Sequence, residues 1–76
     1  MRQIVLYTDE DGAWCAMCPS LPGCFSDGKT KEEAITNIRE AIELWIEDAQ
    51  ANDEPVPSER FDAVIMIIEE TPAIVK

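Results

Sequence analysis

The sequence predicts an α+β domain in which one helix packs on one face of a small, mostly antiparallel sheet. Three observations carry this. Residues 2–8 and 13–18 are two strand-like stretches separated by an Asp-Gly turn signal. Residues 31–51 hold an unbroken helical pattern, and residues 61–68 return to an apolar, β-branched run. The order is β-β-β-α-β, with no internal repeat and no low-complexity segment.

Each element has a local reason. Arg2 to Thr8 is β-branched and aromatic enough for a strand, and Asp11-Gly12 favours a tight hairpin after it. Ala13 to Cys18 returns, and Pro19 ends the ladder because it has no N–H to donate. Pro22-Gly23 suits the central positions of a type II turn, leaving Cys24 to Ser26 for a short third strand. Thr30 and Glu33 form a capping box in front of the helix, which runs from Lys31 to about Ala51. Ala34, Ile35, Ile38, Ala41, Ile42, Trp45, Ile46 and Ala49 share its apolar face. Glu32, Glu40, Glu43 and Glu47 line the other side, and Leu44 sits near the polar boundary. Pro55 and Pro57 mark the loop that stops the helix, and Phe61 to Ile68 is the expected last strand. A short apolar tail, Ala73 to Val75, follows a turn.

Composition excludes several classes of function. The chain has 76 residues, enough for one small domain, with 16 acidic side chains against 6 basic ones and a net charge of −10. Binding to nucleic acid needs Lys and Arg to neutralise phosphates, so direct DNA binding by this chain alone is not expected. An anionic membrane surface is equally disfavoured. The absence of histidine removes histidine acid–base chemistry and histidine metal sites. The longest apolar run, Ala63 to Ile68, is too short to span a bilayer. No secretory pattern opens the chain, so the expected location is cytoplasmic.

Cys15-x-x-Cys18 has the spacing of a metal knuckle or redox pair, with Cys24 nearby. On a strand, however, side chains three apart point to opposite faces. The odd count and the cytoplasmic reading favour reduced thiols packed as small hydrophobes, so no metal and no cofactor are expected.

The strands do not alternate as a sheet with one wet face should. Ile4 and Leu6 oppose Val5 and Tyr7, and Val64, Met66 and Ile68 oppose Ile65 and Ile67. One helix covers one face, so the other calls for a second copy, and a homodimer or homotetramer is expected. A core of this size supplies only about 3–5 kcal/mol, which argues the same way.

Taken together, Trp14-Cys15-Ala16, Pro19-Ser20-Leu21-Pro22-Gly23-Cys24, Gly28-Lys29-Thr30, Glu32-Glu33-Ala34 and Ile38-Arg39-Glu40-Ala41-Ile42-Glu43-Leu44 form an ordered string. With the Pro55-Val56-Pro57 loop, it resembles the N-terminal domain of the HicB family of antitoxins across nearly the whole chain. The resemblance implies a truncated ribonuclease-H-like fold. It also implies a partner: a HicA-type toxin, small, basic and RNA-cleaving, with a double-stranded-RNA-binding-domain fold. The antitoxin would neutralise it by covering its catalytic histidine and RNA surface. Full-length members usually add a helix-turn-helix or ribbon-helix-helix segment. Only Glu69 to Lys76 follow the expected last strand, so a single HicB-like domain over residues 1–76, without a DNA-binding domain, is expected.

Most of the shared motif reads as structural. Pro22, Gly23 and Cys24 make a turn, with Gly23 and Gly28 allowing backbone angles that a β-carbon would obstruct. Thr30 and Glu33 cap the helix, and Ala34 keeps it close to the sheet. Pro19, Ser20 and Leu21 are the first candidates for partner contact, because a leucine between two prolines has no obvious local burial. Glu40, Glu43, Leu44 and Glu47 are the second, as an acidic helix face that a basic partner would attract. A ribonuclease-H-type site needs carboxylates converging on two metal ions. The first strand offers none, so catalysis is not expected. The functional expectation is a toxin-neutralising binding module. The alternative is an orphan, self-assembling regulatory or structural domain without a toxin, and a thiol- or metal-based sensor is the least favoured.

Overall fold

Backbone hydrogen bonding in the computed structural model, which describes residues 1–60 and 62–70, forms three strands and one helix. Strands β1 (Val5–Thr8), β2 (Trp14–Met17) and β3 (Phe25–Gly28) lie in the order β1-β2-β3, and α1 (Lys31–Ala51) crosses one face. Both pairings are antiparallel, with Leu6 opposite Ala16 and Ala16 opposite Ser26. The first hairpin is held by Asp9, whose side chain accepts from the N–H groups of Asp11 and Ala13, both at 2.9 Å. Such side-chain turns are why aspartate opens loops of this kind.

The third strand is displaced from its expected span of Cys24 to Ser26 and runs on through Asp27 and Gly28. Two residues typical of turns serve a strand here. Asp27 sits opposite Cys15 with its side chain on the face away from the helix, and its carbonyl accepts from Asn37 Nδ2 at 2.8 Å. Gly28 is needed for space, not for an unusual backbone angle. A Cβ there would lie 2.5 Å from the Ala34 nitrogen and 2.9 Å from Glu33 atoms, so the helix start rests directly on it.

The helix spans the expected residues, and its ends explain why. Thr30 Oγ1 accepts from the Glu33 N–H at 3.1 Å, while the Glu33 carboxylate reaches back to the Lys29 N–H at 3.3 Å. Helix N-termini leave such donors unpaired, and a cap of this kind contributes about 1 kcal/mol. At the other end, Glu54 N–H donates to the Ala49 carbonyl and Asp53 N–H to the Gln50 carbonyl, with Asp53 at φ 53°. That is a Schellman stop, built on aspartate where glycine is usual. Ala34, Ile38 and Ala49 are buried. Ala34 and Ile38 join Ala16, Cys18, Leu21 and Cys24 in the core, with Leu6, Trp14, Ile42 and Trp45 packed around them.

Pleating sends Val5, Tyr7, Cys15, Met17, Phe25 and Asp27 to the face the helix does not cover. Cys15 therefore sits on the open face, and Cys18 and Cys24 belong to the core. All three are free thiols. Burial pushes the Cys24 thiol pKa above its ordinary value, and Cys18 adds to the shift.

The expected last strand requires a correction. Phe61 and residues 71–76, including the tail from Ala73 to Val75, lie outside the described residues. Residues 62–68 make no strand in the single chain, and Val64, Ile65, Met66, Ile67 and Ile68 are 72–98% exposed. Apolar sequence gives a segment β propensity, but a strand exists only where an edge accepts it.

Candidate partner-binding surface

The two candidate regions meet different fates. In the first, Leu21 N–H donates to the Cys18 carbonyl at 3.1 Å and Cys24 N–H to the Leu21 carbonyl at 3.1 Å. Pro19 and Pro22 stand second in these consecutive turns, where their fixed φ is favourable. Gly23 follows Pro22 at φ 77°, completing the expected type II geometry. The double turn swings Leu21 inward, to 1% exposure, among Cys18, Cys24 and Ile38. The expectation that Leu21 lies open to a partner is therefore corrected: it is core.

Ser20 is committed as well. Its hydroxyl donates to Glu59 Oε2 at 2.7 Å and accepts from Arg2 Nη1 at 3.1 Å. Glu59 Oε1 accepts from the Gln3 N–H at 3.1 Å, and Arg2 stands 3.7 Å from Oε2. The Ser20 hydrogen bond chiefly, with help from Gln3 and Arg2, holds the Glu59 carboxyl below the ordinary glutamate pKa despite its partial burial. This knot ties the chain start, the double turn and the loop after the helix together. Of Pro19, Ser20 and Leu21, Pro19 alone is exposed.

The second region stays open. Glu40, Glu43, Leu44 and Glu47 are all exposed, and none forms an ion pair among the described residues. Leu44 is 64% exposed and lines a shallow groove of ≈ 450 Å³ with Gly23, Cys24, Phe25, Ala41, Trp45 and Asp48. Trp45 is fixed there by its indole N–H, which donates to the Pro22 carbonyl at 2.9 Å. Phe25, at 58% exposure, supplies a second apolar contact from the edge strand. The result is an apolar centre with Asp48 in its lining, and helical spacing sets Glu40 and Glu47 beside Leu44. The last helical turn carries no basic residue to offset the negative end of its dipole. Phe25, Trp45 and Asp48 were missed from sequence. Trp45 reads as core from its helical spacing, and Phe25 shows its exposure only once the sheet edge is known.

A sequence model of the family described as HicB-like antitoxin of bacterial toxin–antitoxin systems matches residues 3–72. The chain belongs to the HicB-like antitoxin family. Its relatives include a UPF0150 protein of Thermoplasma acidophilum, 41% identical over 61 residues that cover 80% of this chain and 88% of the relative. Another, from Synechocystis, is 54% identical over 56 residues, covering 74% and 71%. Among solved structures, the N-terminal domain of the Burkholderia pseudomallei antitoxin HicB superposes with a TM-score of 0.65 at 33% identity. That match covers 72% of this chain and 65% of the solved one.

The α+β fold of three antiparallel strands followed by a helix is thus the HicB N-terminal fold. Membership of an antitoxin family implies a toxin partner in general and a regulatory role. No helix among the described residues is long and apolar enough to cross a membrane.

Proposed function

We propose that this chain binds a small, basic, RNA-cleaving toxin of the HicA type and neutralises it by covering its RNA-binding face, without catalysis of its own. The observation that carries the reading is the apolar centre of Leu44 and Phe25, with Asp48 in its lining and Glu40 and Glu47 beside Leu44, on a chain of net charge −10. Such a surface matches a partner that must present cations to RNA phosphates. Charge complementarity speeds encounter, and a desolvated apolar anchor slows dissociation. Pro19 remains a separate candidate, beside Ser20, Arg60 and Asp62, and Glu43 extends the acidic side of the helix. Co-expression with the basic product of the neighbouring gene tests the proposal. A stable complex that restores growth is expected. No complex at micromolar concentration, with every basic neighbour tried, overturns it.

Self-association accompanies this reading. The sheet face away from the helix carries Val5, Tyr7, Cys15, Met17 and Phe25, with Tyr7 and Phe25 exposed in the single chain. Large exposed apolar patches mark interaction sites. A homodimer or homotetramer follows, and light scattering checks it. The same face is what favours the orphan alternative, in which assembly is the whole function.

A further inference from the structure

The Leu44 groove holds chemistry that a purely apolar anchor would not need. Ala41, Leu44, Trp45 and Asp48 stand at positions i, i+3, i+4 and i+7, so they form one stripe along the helix. Phe25 joins the lining from the edge strand β3. Two aromatic rings and an aliphatic side chain thus share a groove with a carboxylate near the helix C-terminus.

The Trp45 indole N–H is already taken by the Pro22 carbonyl at 2.9 Å. The ring is fixed by that bond, and its π surface is what it still offers a ligand. Asn52 binds the Asp48 carbonyl through its backbone and side-chain nitrogens, at 3.1 and 2.9 Å, and not the carboxylate. The Asp48 carboxylate forms no ion pair among the described residues. Glu40 and Glu47 add charge beside Leu44, and the last helical turn has no basic residue. Its dipole end is negative as well.

The geometry points to a seat for an arginine side chain of a basic partner protein, its guanidinium stacked on the Trp45 and Phe25 rings and hydrogen-bonded to the Asp48 carboxylate. The proposal rests on the toxin-binding reading and names the residue type that this surface takes. The groove is shallow, so its occupant keeps some contact with water. A lysine ammonium is a compact, strongly hydrated charge that gains little in such a place. A guanidinium is flat and weakly hydrated, and its forked donors match a carboxylate, so it can stack and pair at once. Its methylene stem would lie on Leu44 and Ala41. An anionic group would meet only negative charge here. A purely aliphatic side chain would strip water from Asp48 and give it no partner in return.

NMR on the labelled full chain tests this with synthetic peptides that differ only in a central arginine, lysine or citrulline, the last being arginine's uncharged isostere. The arginine peptide should give saturable shifts at the Trp45 indole N–H and at the Phe25 and Asp48 backbone N–H groups. Its affinity should exceed that of the citrulline peptide by about tenfold, and that of the lysine peptide severalfold. Asp48→Asn should remove about the same tenfold for arginine and leave the citrulline peptide unchanged. Phe25→Leu, which keeps the bulk and removes the ring, should narrow the preference for arginine over lysine. Asp48 and Phe25 are exposed, and the peptide comparison on the wild type needs neither variant. Equal affinity for arginine and lysine peptides overturns the seat, as does wild-type affinity in Asp48→Asn or no binding of any peptide. Shifts confined to Glu40, Glu43 and Glu47 overturn it in favour of a diffuse charge contact. The toxin reading fails separately. A toxin complex that dissociates from both variants as from wild type removes the seat and leaves that reading standing. Selective arginine binding without any toxin complex does the reverse.

Discussion

Two stretches of this chain advertise themselves as contact sites, and only one is open. Pro19 to Leu21 places an apolar residue in a proline-rich loop, while Glu40 to Glu47 places Leu44 among acids on a helix. The first is consumed by the fold: Leu21 is 1% exposed, and Ser20 is knotted to Arg2 and Glu59. The second leaves Leu44 64% exposed beside Phe25 and Trp45. The difference is one of backbone freedom. Consecutive turns can redirect a loop side chain into the core, whereas a helix fixes each side chain at 100° from the last and cannot hide one that is off its apolar stripe. An apolar residue on a regular element is therefore the safer guide to an interface.

The largest expected effect is that of Leu21→Ala. As a buried leucine it should cost about 2–5 kcal/mol of stability. Chemical denaturation checks this. Near-wild-type stability combined with faster dissociation of a partner would instead make Leu21 an anchor and reverse the comparison. Next is Gly28→Ala, which forces a methyl against the Glu33–Ala34 backbone and should cost about 1–3 kcal/mol. Loss of helix signal and of melting temperature together would place the damage at the helix start. Leu44→Ala belongs at the other extreme, within about 0.5 kcal/mol of wild type. Its effect should appear in partner dissociation alone.

The helix was legible because its rules are local. Thr30 and Glu33 cap it, an uninterrupted periodic face fills it, and Pro55 and Pro57 bar its continuation. The Pro22-Gly23 turn was legible for the same reason. What depended on distant partners was not. Asp27 and Gly28 join a strand only because Cys15 and Trp14 lie opposite. The segment from residue 62 to 68 has every local mark of a strand, yet it pairs with neither sheet edge among the described residues. At the candidate surface, Leu44 and the glutamates could be read from helical spacing. Phe25 could not, because nothing in its neighbours reveals that β3 is an edge. Ser20 was misjudged because its acceptor, Glu59, lies 39 residues away.

The knot that fixes Ser20 gives a smaller, pH-dependent prediction. Glu59 has a lower carboxyl pKa when folded than when unfolded. As pH falls, the unfolded chain therefore takes up the proton first, and folding weakens. The contribution is complete above the ordinary glutamate pKa of about 4.3 and fades as pH drops through the depressed folded value. The melting-temperature gap between wild type and Glu59→Gln should thus be widest near neutrality and close in acid. A gap that does not change with pH would mean that the carboxylate charge contributes nothing and that Ser20 is held by packing.

The smallest effect on the fold, and the sharpest on the comparison, comes from changing Glu40, Glu43 and Glu47 together to Gln. Glu40 and Glu43 are three residues apart, and Glu43 and Glu47 four, so each pair repels along one flank of the helix. Glu47 also faces the negative end of the helix dipole, where no basic side chain compensates. Neutralising all three should leave stability unchanged or raise it, by about 0.2–0.5 kcal/mol for each pair relieved. Against a basic partner the same change should slow association and flatten its dependence on salt, because rim charges act on encounter. Dissociation should change far less, since the anchor assigned to it is Leu44 with Phe25. Stopped-flow association across a salt series separates the two. If association rate and salt slope both stay at wild-type values, the glutamates only solvate the helix. The open apolar patch would then bind by shape alone.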